Sequence, residues 1–397
     1  MKITDLKTTV VPLGFRNAIL TRIETEGGLS GVSEVVLKRA SGTVAAHLAD
    51  LRPVLLGEDA RRIEHLAETL YRDSFWVGGP LHATALSAID VALWDLKGKA
   101  LGVPVCELFG GPTRDTVAVY VHCAAGPTPE TFAGRARECV ARGARALKAT
   151  LPLFYGAEPP DWQTDNPAGY SGSPGAIPRA LKETEYLPTS TFDRIAAFFQ
   201  AAREAVGPEI EIGVDCHGRL NVANARRLCD ALAPFNLMFI EEPVPPENPE
   251  LLAEVTRTSR VPIAAGERWA TVHGVLPFLK AGAVHLLQPD VANCGGLTQA
   301  RKIAALAEAY GVGIAPHNPN GPLATAASVH LAASIPNFTM LETIGSAEDE
   351  ALAATIVETP LLARDGSIIC PSTPGLGVNV LDSAWQERPY REFRGWR

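Results

Sequence analysis

Three acidic residues stand at even intervals, each closing a short apolar run: IGVD ends in Asp215, MFIE in Glu241 and AAGE in Glu267, with 26 residues from each to the next. Equal strand–helix spacing places equivalent strand ends side by side on one rim of a parallel barrel, so these carboxylates are predicted to converge. Three hard oxygen anions in one cleft raise one another's pKa values unless a cation neutralises them; Mg2+, which keeps open positions for water or substrate, fits best. The plainer alternative is three rim carboxylates, each paired with a Lys or Arg. The series continues through LLQPD, ending at Asp290, and GIAPH, ending at His317 27 residues later. An Asp on the adjacent strand end fixes a histidine's tautomer and raises its basicity, so His317 is a candidate general base oriented by Asp290; the alternative is a purely structural hydrogen-bonder.

His217 follows Asp215 by two residues and shares its inward parity. It is a candidate proton donor on the far side of the cation, against the alternative of a surface turn residue in CHGRL. Glu342 closes the run FTMLE and is placed to hydrogen-bond a substrate or a developing oxyanion. With His317 removing a proton beside a substrate carboxylate and a protonated His217 serving a hydroxyl on the next carbon, the outcome is loss of water. A β-hydroxy acid then becomes a 2-keto-3-deoxy acid after tautomerisation.

The elements that must carry these residues are legible as a rhythm. From about residue 113, the apolar runs VAVYV, RALKA, IEIGV, LMFI, VPIAA, AVHLL, VGIA and FTML are each followed by a polar cluster and most by a helical segment. Eight parallel strands with intervening helices close most naturally into a barrel whose strand C-termini carry the chemistry. Residues 1–40 alternate like strands around Gly-rich turns and residues 41–104 have helical periodicity, which predicts a small α+β domain. The expected organisation is an α/β chain with a domain over 1–112, a barrel over 113–345 and a Gly/Pro-rich segment over 346–397 that returns to the first domain. One stretch breaks the rhythm: residues 151–190 form a long polar, Pro/Gly-rich insertion, of the kind that is either functional or disordered. NCGGLT, residues 293–298, is a Gly-rich strand-to-helix turn or a cradle for an anion.

Bulk properties narrow the function classes. The formal net charge of -8, with no run of Lys or Arg, lacks the basic footprint of a nucleic-acid or anionic-membrane binder. No stretch approaches the roughly 20 apolar residues of a membrane span, and MKITDLKTTVVPL is not signal-like, so a cytoplasmic protein is expected. The seven cysteines are scattered without a C-x-x-C pair, which points to reduced thiols.

The motifs above, with SAIDVALWDLKGKALGVPVCELFGG at 87–111 and QPDVANCGGLTQARKIAALAEAYGVGIAPH at 288–317, resemble the mandelate racemase group of the enolase superfamily. Within it VDCHGRL, FIEEPV, AAGERW, APHNPNGPLA and the final LE look most like galactonate dehydratase and related acid-sugar dehydratases. The resemblance implies a capping α+β domain on a modified (β/α)7β TIM-type barrel, one Mg2+ per subunit on Asp215, Glu241 and Glu267, the His317/Asp290 pair as base and His217 as general acid. It also implies a small acid-sugar substrate, galactonate-like before mannonate, gluconate or an aldarate, and a homo-oligomer, dimer to octamer. Racemases of the group carry a K-x-K pair; here Lys148 is followed by Ala149 and Thr150, so the second lysine is absent. Lys148 remains a candidate contact for the substrate carboxylate, or a structural residue. By family analogy Arg16 and Trp76, in two loops of the cap, cover the far end of the substrate. The insertion resembles the extended loop of mannonate dehydratases, and its Tyr155, Tyr170, Arg179 and Tyr186 are candidates for reaching a neighbouring site. An epimerase using His217, or a noncatalytic protein on an inherited scaffold, are the rival readings.

Overall fold

The computed structural model describes residues 1–154 and 187–386. The N-terminal part is an antiparallel meander of β1 (Ile3–Leu13), β2 (Arg16–Thr25) and β3 (Ser30–Val35), followed by α1 (Ser41–Leu55), α2 (Ile63–Arg72) and α3 (Gly79–Leu101). The α3 helix is buried around most of its circumference because it lies between this sheet and the rest of the molecule. Its approach to β3 is possible only at Gly31, where a Cβ would overlap the Ala92 carbonyl.

The strands and helices then alternate: β4 (Thr116–His122), α4 (Pro129–Ala141), β5 (Ala146–Thr150), α5 (Thr189–Val206), β6 (Glu211–Asp215), α6 (Val222–Leu232), β7 (Phe239–Glu241) and α7 (Pro249–Thr258). They continue as β8 (Ile263–Ala265), α8 (Thr271–Ala281), β9 (Leu286–Leu287), α9 (Gly296–Ala309), β10 (Gly313–Ile314), α10 (Pro322–Ser334), β11 (Leu341–Thr343), α11 (Ala347–Ala353) and β12 (Ser367–Ile369). Hydrogen bonding runs in parallel from β10 through β9, β8, β7, β6, β5 and β4 to β11. A parallel bridge between Ile314 and Phe338 brings β10 against the approach to β11 and closes the ring. This is the capped barrel expected from the sequence. The barrel strands are shorter than the apolar runs suggest, so Glu267, Asp290 and His317 stand just beyond β8, β9 and β10, in the loops at the strand C-termini.

The segment after β11 returns along two routes. β12 adds antiparallel to the barrel strand β4, and Leu376 N then donates to Asp95 Oδ1 of α3 at 2.8 Å. No helix among the described residues is long and apolar enough to cross a membrane, and all seven cysteines are free thiols.

Cap and barrel are joined through buried carboxylates that accept backbone N–H groups. Glu34 of β3 accepts from Gly321 and Leu323 at the start of α10, and Asp90 of α3 accepts from Thr298 N at 3.0 Å in the first turn of α9. Burial pushes the Asp90 carboxyl up from 3.8 to about 7, against hydrogen bonds from Thr298 that favour the anion. A carboxyl whose folded pKa is raised carries stability that is fully present below its unfolded pKa and is lost as pH rises through the folded value. Over the window from about 4 to about 7 this amounts to an order of 2–4 kcal/mol, less the part returned by the N-terminal dipole of α9. In urea unfolding, Asp90→Asn is therefore expected to gain on the parent as pH is raised from about 5 to about 8. Parallel pH profiles for the two proteins would contradict this assignment.

Candidate active site

Short apolar strands packed in the barrel deliver their terminal polar residues to one end. Thr150, Asp215 and Glu241 are neighbours in register across β5, β6 and β7, and His122 of β4 pairs with Lys148 of β5. The carboxylates gather around one ammonium: Lys148 Nζ lies 2.8 Å from Glu241 Oε2, 2.6 Å from Glu342 Oε1 and 3.5 Å from Asp215 Oδ2. All four side chains are buried. Burial opposes the charge on Lys148, but Glu241 and Glu342 outweigh it and hold its pKa well above the ordinary value. Glu241 is pushed up to about 8, by burial first and then by Asp215, with Lys148 opposing.

The imidazole of His317 is wedged between two acids. Its Nδ1 is 2.7 Å from Asp290 Oδ2 and its Nε2 is 2.7 Å from Glu267 Oε2, with Glu342 Oε2 at 3.9 Å. Burial disfavours the imidazolium, yet Glu267 and Glu342 and the hydrogen bonds to Asp290 and Glu267 raise its pKa well above the usual histidine range. Asp290 is itself fixed, accepting from Ala292 N at 2.7 Å and from Asn320 Nδ2 at 3.1 Å. His217 sits in a turn with φ of 50°, its backbone N–H on Asp215 Oδ1 at 3.0 Å and its Nε2 2.9 Å from Asp215 Oδ2. Both imidazoles act on Glu267, whose carboxyl lies well below the usual range even though burial pushes it up.

Several site residues could not be assigned from sequence. His122 contacts Glu342 Oε1; it ends the first barrel run, VAVYVH, and the strand-end logic that found the others extends to it. Arg268 bridges Glu242 and Glu267. Lys38, just after β3 in the cap, has its ammonium 5.0 Å from the Phe15 ring centroid and interacts electrostatically with Glu267.

Glu342 is engaged within the protein itself. Lys148, His122 and the Asn318 N–H at 2.9 Å occupy its oxygens. Although burial raises its pKa, Lys148 and the two histidines bring it well below the carboxylate range, and an ionised carboxylate has no proton to donate to an oxyanion. Arg16 is likewise turned away from the carboxylates. Its NH2 group donates to Asn320 O at 2.8 Å and pairs with Asp349 at 3.1 Å, beside a cavity of about 30 Å³, enough for one water. Trp76 is 83% exposed, packed edge-on against Phe75 at 5.1 Å, and contacts none of the barrel residues described above. An exposed loop leaves its ring on the cap surface. Tyr155, Tyr170, Arg179 and Tyr186 lie outside the described residues.

Among the described residues no three His, Cys, Asp or Glu side chains are spaced as a ready metal-ligand cluster. The chain's own cations stand between the acids, Lys148 at Asp215 and Glu241 and Arg268 at Glu267, much as the plainer sequence alternative has it. Two features nevertheless fit a hard divalent cation. Glu241 Oε1 is buried without a hydrogen-bond partner. The carboxylates of Asp215, Glu241, Glu242, Glu267 and Glu342 also outnumber the two fixed cations, Lys148 and Arg268, that contact them, and oxygen donors of this kind are the ligands Mg2+ takes.

Comparison with known proteins gives the same frame. Residues 3–110 match the model of the mandelate racemase / muconate lactonizing enzyme N-terminal domain, and residues 132–384 that of the enolase C-terminal domain-like family. A D-galactonate dehydratase of Ralstonia pickettii is 36% identical over 402 residues, covering 100% of this chain and 96% of the relative. A D-galactonate dehydratase family member of Streptomyces bingchenggensis is 34% identical over 94% of this chain and 90% of its own. Among solved structures, a member of the enolase superfamily from Salmonella Typhimurium superposes with a TM-score of 0.87 at 26% identity, covering 98% of each chain. A mandelate racemase/muconate lactonizing enzyme-like protein from Roseovarius sp. does so with a TM-score of 0.86 at 30% identity, covering 99% of this chain and 96% of its own.

Proposed function

Since the chain belongs to the mandelate racemase group of the enolase superfamily, we propose that it is a sugar-acid dehydratase, a hydro-lyase, acting with Mg2+ on a galactonate-like aldonate. The observation that carries this reading is His317, with Nδ1 on Asp290 and Nε2 directed into the carboxylate cluster, facing a site that also holds His217 on Asp215. Asp215, Glu241 and Glu267 would hold the cation. When bound, Mg2+ supplies positive charge to the substrate carboxylate and so makes the adjacent carbon more acidic.

The chain's own groups do the proton work. With Glu267 committed to the cation, the pull that keeps a proton on His317 Nε2 would be relieved, and Asp290 at Nδ1 would leave Nε2 as the nitrogen that takes the proton from carbon two. His217, protonated on Nε2, delivers a proton to the hydroxyl on carbon three as the carbon–oxygen bond breaks. Water leaves, and the enol product tautomerises to the 2-keto-3-deoxy acid, so one proton is taken and one is given in each turnover. Lys148, fully engaged by Asp215, Glu241 and Glu342, holds these carboxylates together. Thr150, where a K-x-K pair would place its second lysine, offers no opposing base, which favours elimination over racemisation.

A Mg2+-dependent screen of aldonates and aldarates, followed by semicarbazide absorbance of 2-keto-3-deoxy products, tests the proposal. Galactonate is expected to react and EDTA to abolish turnover; no product from any sugar acid refutes it. Deuterium entering recovered substrate without loss of water would mark an epimerase instead. The role of His217 has its own expected result: His217→Asn retains exchange at carbon two but loses on the order of 100-fold or more in elimination. Equal loss of both reactions would remove His217 from the acid role.

A further inference from the structure

The loops after β7 and β8 meet in an ion chain that the proton chemistry does not use. Arg268 reaches Glu242 Oε2 through NH2 at 2.8 Å and Glu267 Oε1 through Nε at 3.4 Å. Glu242 is an expensive residue to retain. It is 1% exposed, has a left-handed φ of 40°, and neither carboxylate oxygen receives an aligned hydrogen bond, so among the described residues it is the Arg268 ion pair that answers its charge. A strained residue carrying a buried carboxylate persists only where its surroundings over-determine it, and such positions concentrate at functional sites.

The surroundings here are specific. Gly218 N donates to Glu242 O at 2.7 Å and Glu242 N donates to Ala264 O at 2.9 Å, so this one residue ties the His217 turn to β8. On the other side Gly266, with φ of 146°, runs so close to the next strand that a Cβ would sit 2.7 Å from Gln288 N, which leaves the backbone ahead of Glu267 a single course. We propose that Glu242 and Arg268 form a positioning clamp that fixes the Glu267 carboxylate for the divalent cation, an inference that rests on the cation assignment made above. Arginine suits the task because its planar fork offers two nitrogens to two carboxylates at once, whereas a lysine is a point charge. Without the clamp, Glu267 keeps its contact with His317 Nε2 at 2.7 Å and is drawn toward that ring.

The test follows thermal unfolding of the full-length protein during MgCl2 titration, which requires no turnover. Arg268→Lys keeps the charge and loses the fork; Arg268→Met loses both. The clamp predicts that the Mg2+ midpoint rises on the order of 10-fold in both variants, with kcat recovering at saturating Mg2+. An Arg268 acting through its charge alone gives a different pattern, in which the lysine variant keeps the parental midpoint and the methionine variant binds Mg2+ more tightly. Either of those results overturns the proposal. The Arg268 side chain is 40% exposed, so neither change opens a core cavity, and Arg268→Lys leaves a cation beside Glu242. A parent whose unfolding ignores Mg2+ sinks the cation assignment and the clamp with it. A responsive parent with indistinguishable variants sinks the clamp alone.

Discussion

Replacing His317 by asparagine is expected to lower dehydration by about 10³-fold or more and to abolish exchange of the proton on carbon two. The asparagine amide can still reach Asp290, which lies 2.7 Å from Nδ1 and is held by Ala292 N and Asn320. The backbone and the neighbouring loop therefore have no reason to move. What disappears is Nε2, the ring nitrogen that points into the carboxylate cluster while Nδ1 is held by Asp290. Deuterium exchange into recovered substrate, read by proton NMR, checks the first effect, and retention of the Mg2+-dependent thermal shift separates lost base from lost fold. A variant that still exchanges at the parental rate would remove His317 from the base role and with it the direction of the proposed elimination.

Lys148→Met is expected to have the largest effect on stability. One ammonium, 2% exposed, stands among Glu241, Glu342 and Asp215. Removing it leaves buried carboxylates without their shared cation, a loss of about 3–5 kcal/mol for a pair broken from one side. The sign of its pH dependence follows from the carboxyls. Glu241, already pushed up to about 8 by burial and then by Asp215, loses the neighbour that opposes this, so protonation relieves the variant at low pH and its deficit grows as pH rises. Urea unfolding across that range, with and without Mg2+, is the measurement, and the cation is expected to restore part of the loss. Parental stability at alkaline pH would show that Lys148 is not what holds these groups together.

Much of the fold was legible because its cause is local. Short apolar runs at regular spacing, each ending in a polar residue, can form only strands whose ends lie along one rim, and Asp215, Glu241, Glu267, Asp290 and His317 stand at such ends in the structure. His122, which ends VAVYVH, obeys the same rule. Arg268, Glu242 and Lys38 were opaque. Whether a charged residue beside a strand end faces its neighbour or the solvent depends on loop conformation, here a left-handed Glu242 and a Gly266 pressed on Gln288, and no periodicity encodes that. Arg16 and Trp76 depended on how one part of the molecule seats against another. The seating is set by buried side chains such as Glu34 and Asp90 meeting backbone N–H groups more than 200 residues away in the chain.

The seam has a further consequence for the proton acceptor. Arg16 of β2 donates to the carbonyl of Asn320, Asn320 donates to Asp290, and Asp290 holds His317. In the proposed elimination the N-terminal part would therefore act without touching the reacting carbon, as the far anchor of a tether whose near end is the imidazole. A barrel produced without its first hundred residues would keep every side chain assigned to proton transfer, yet its histidine would be free to swing.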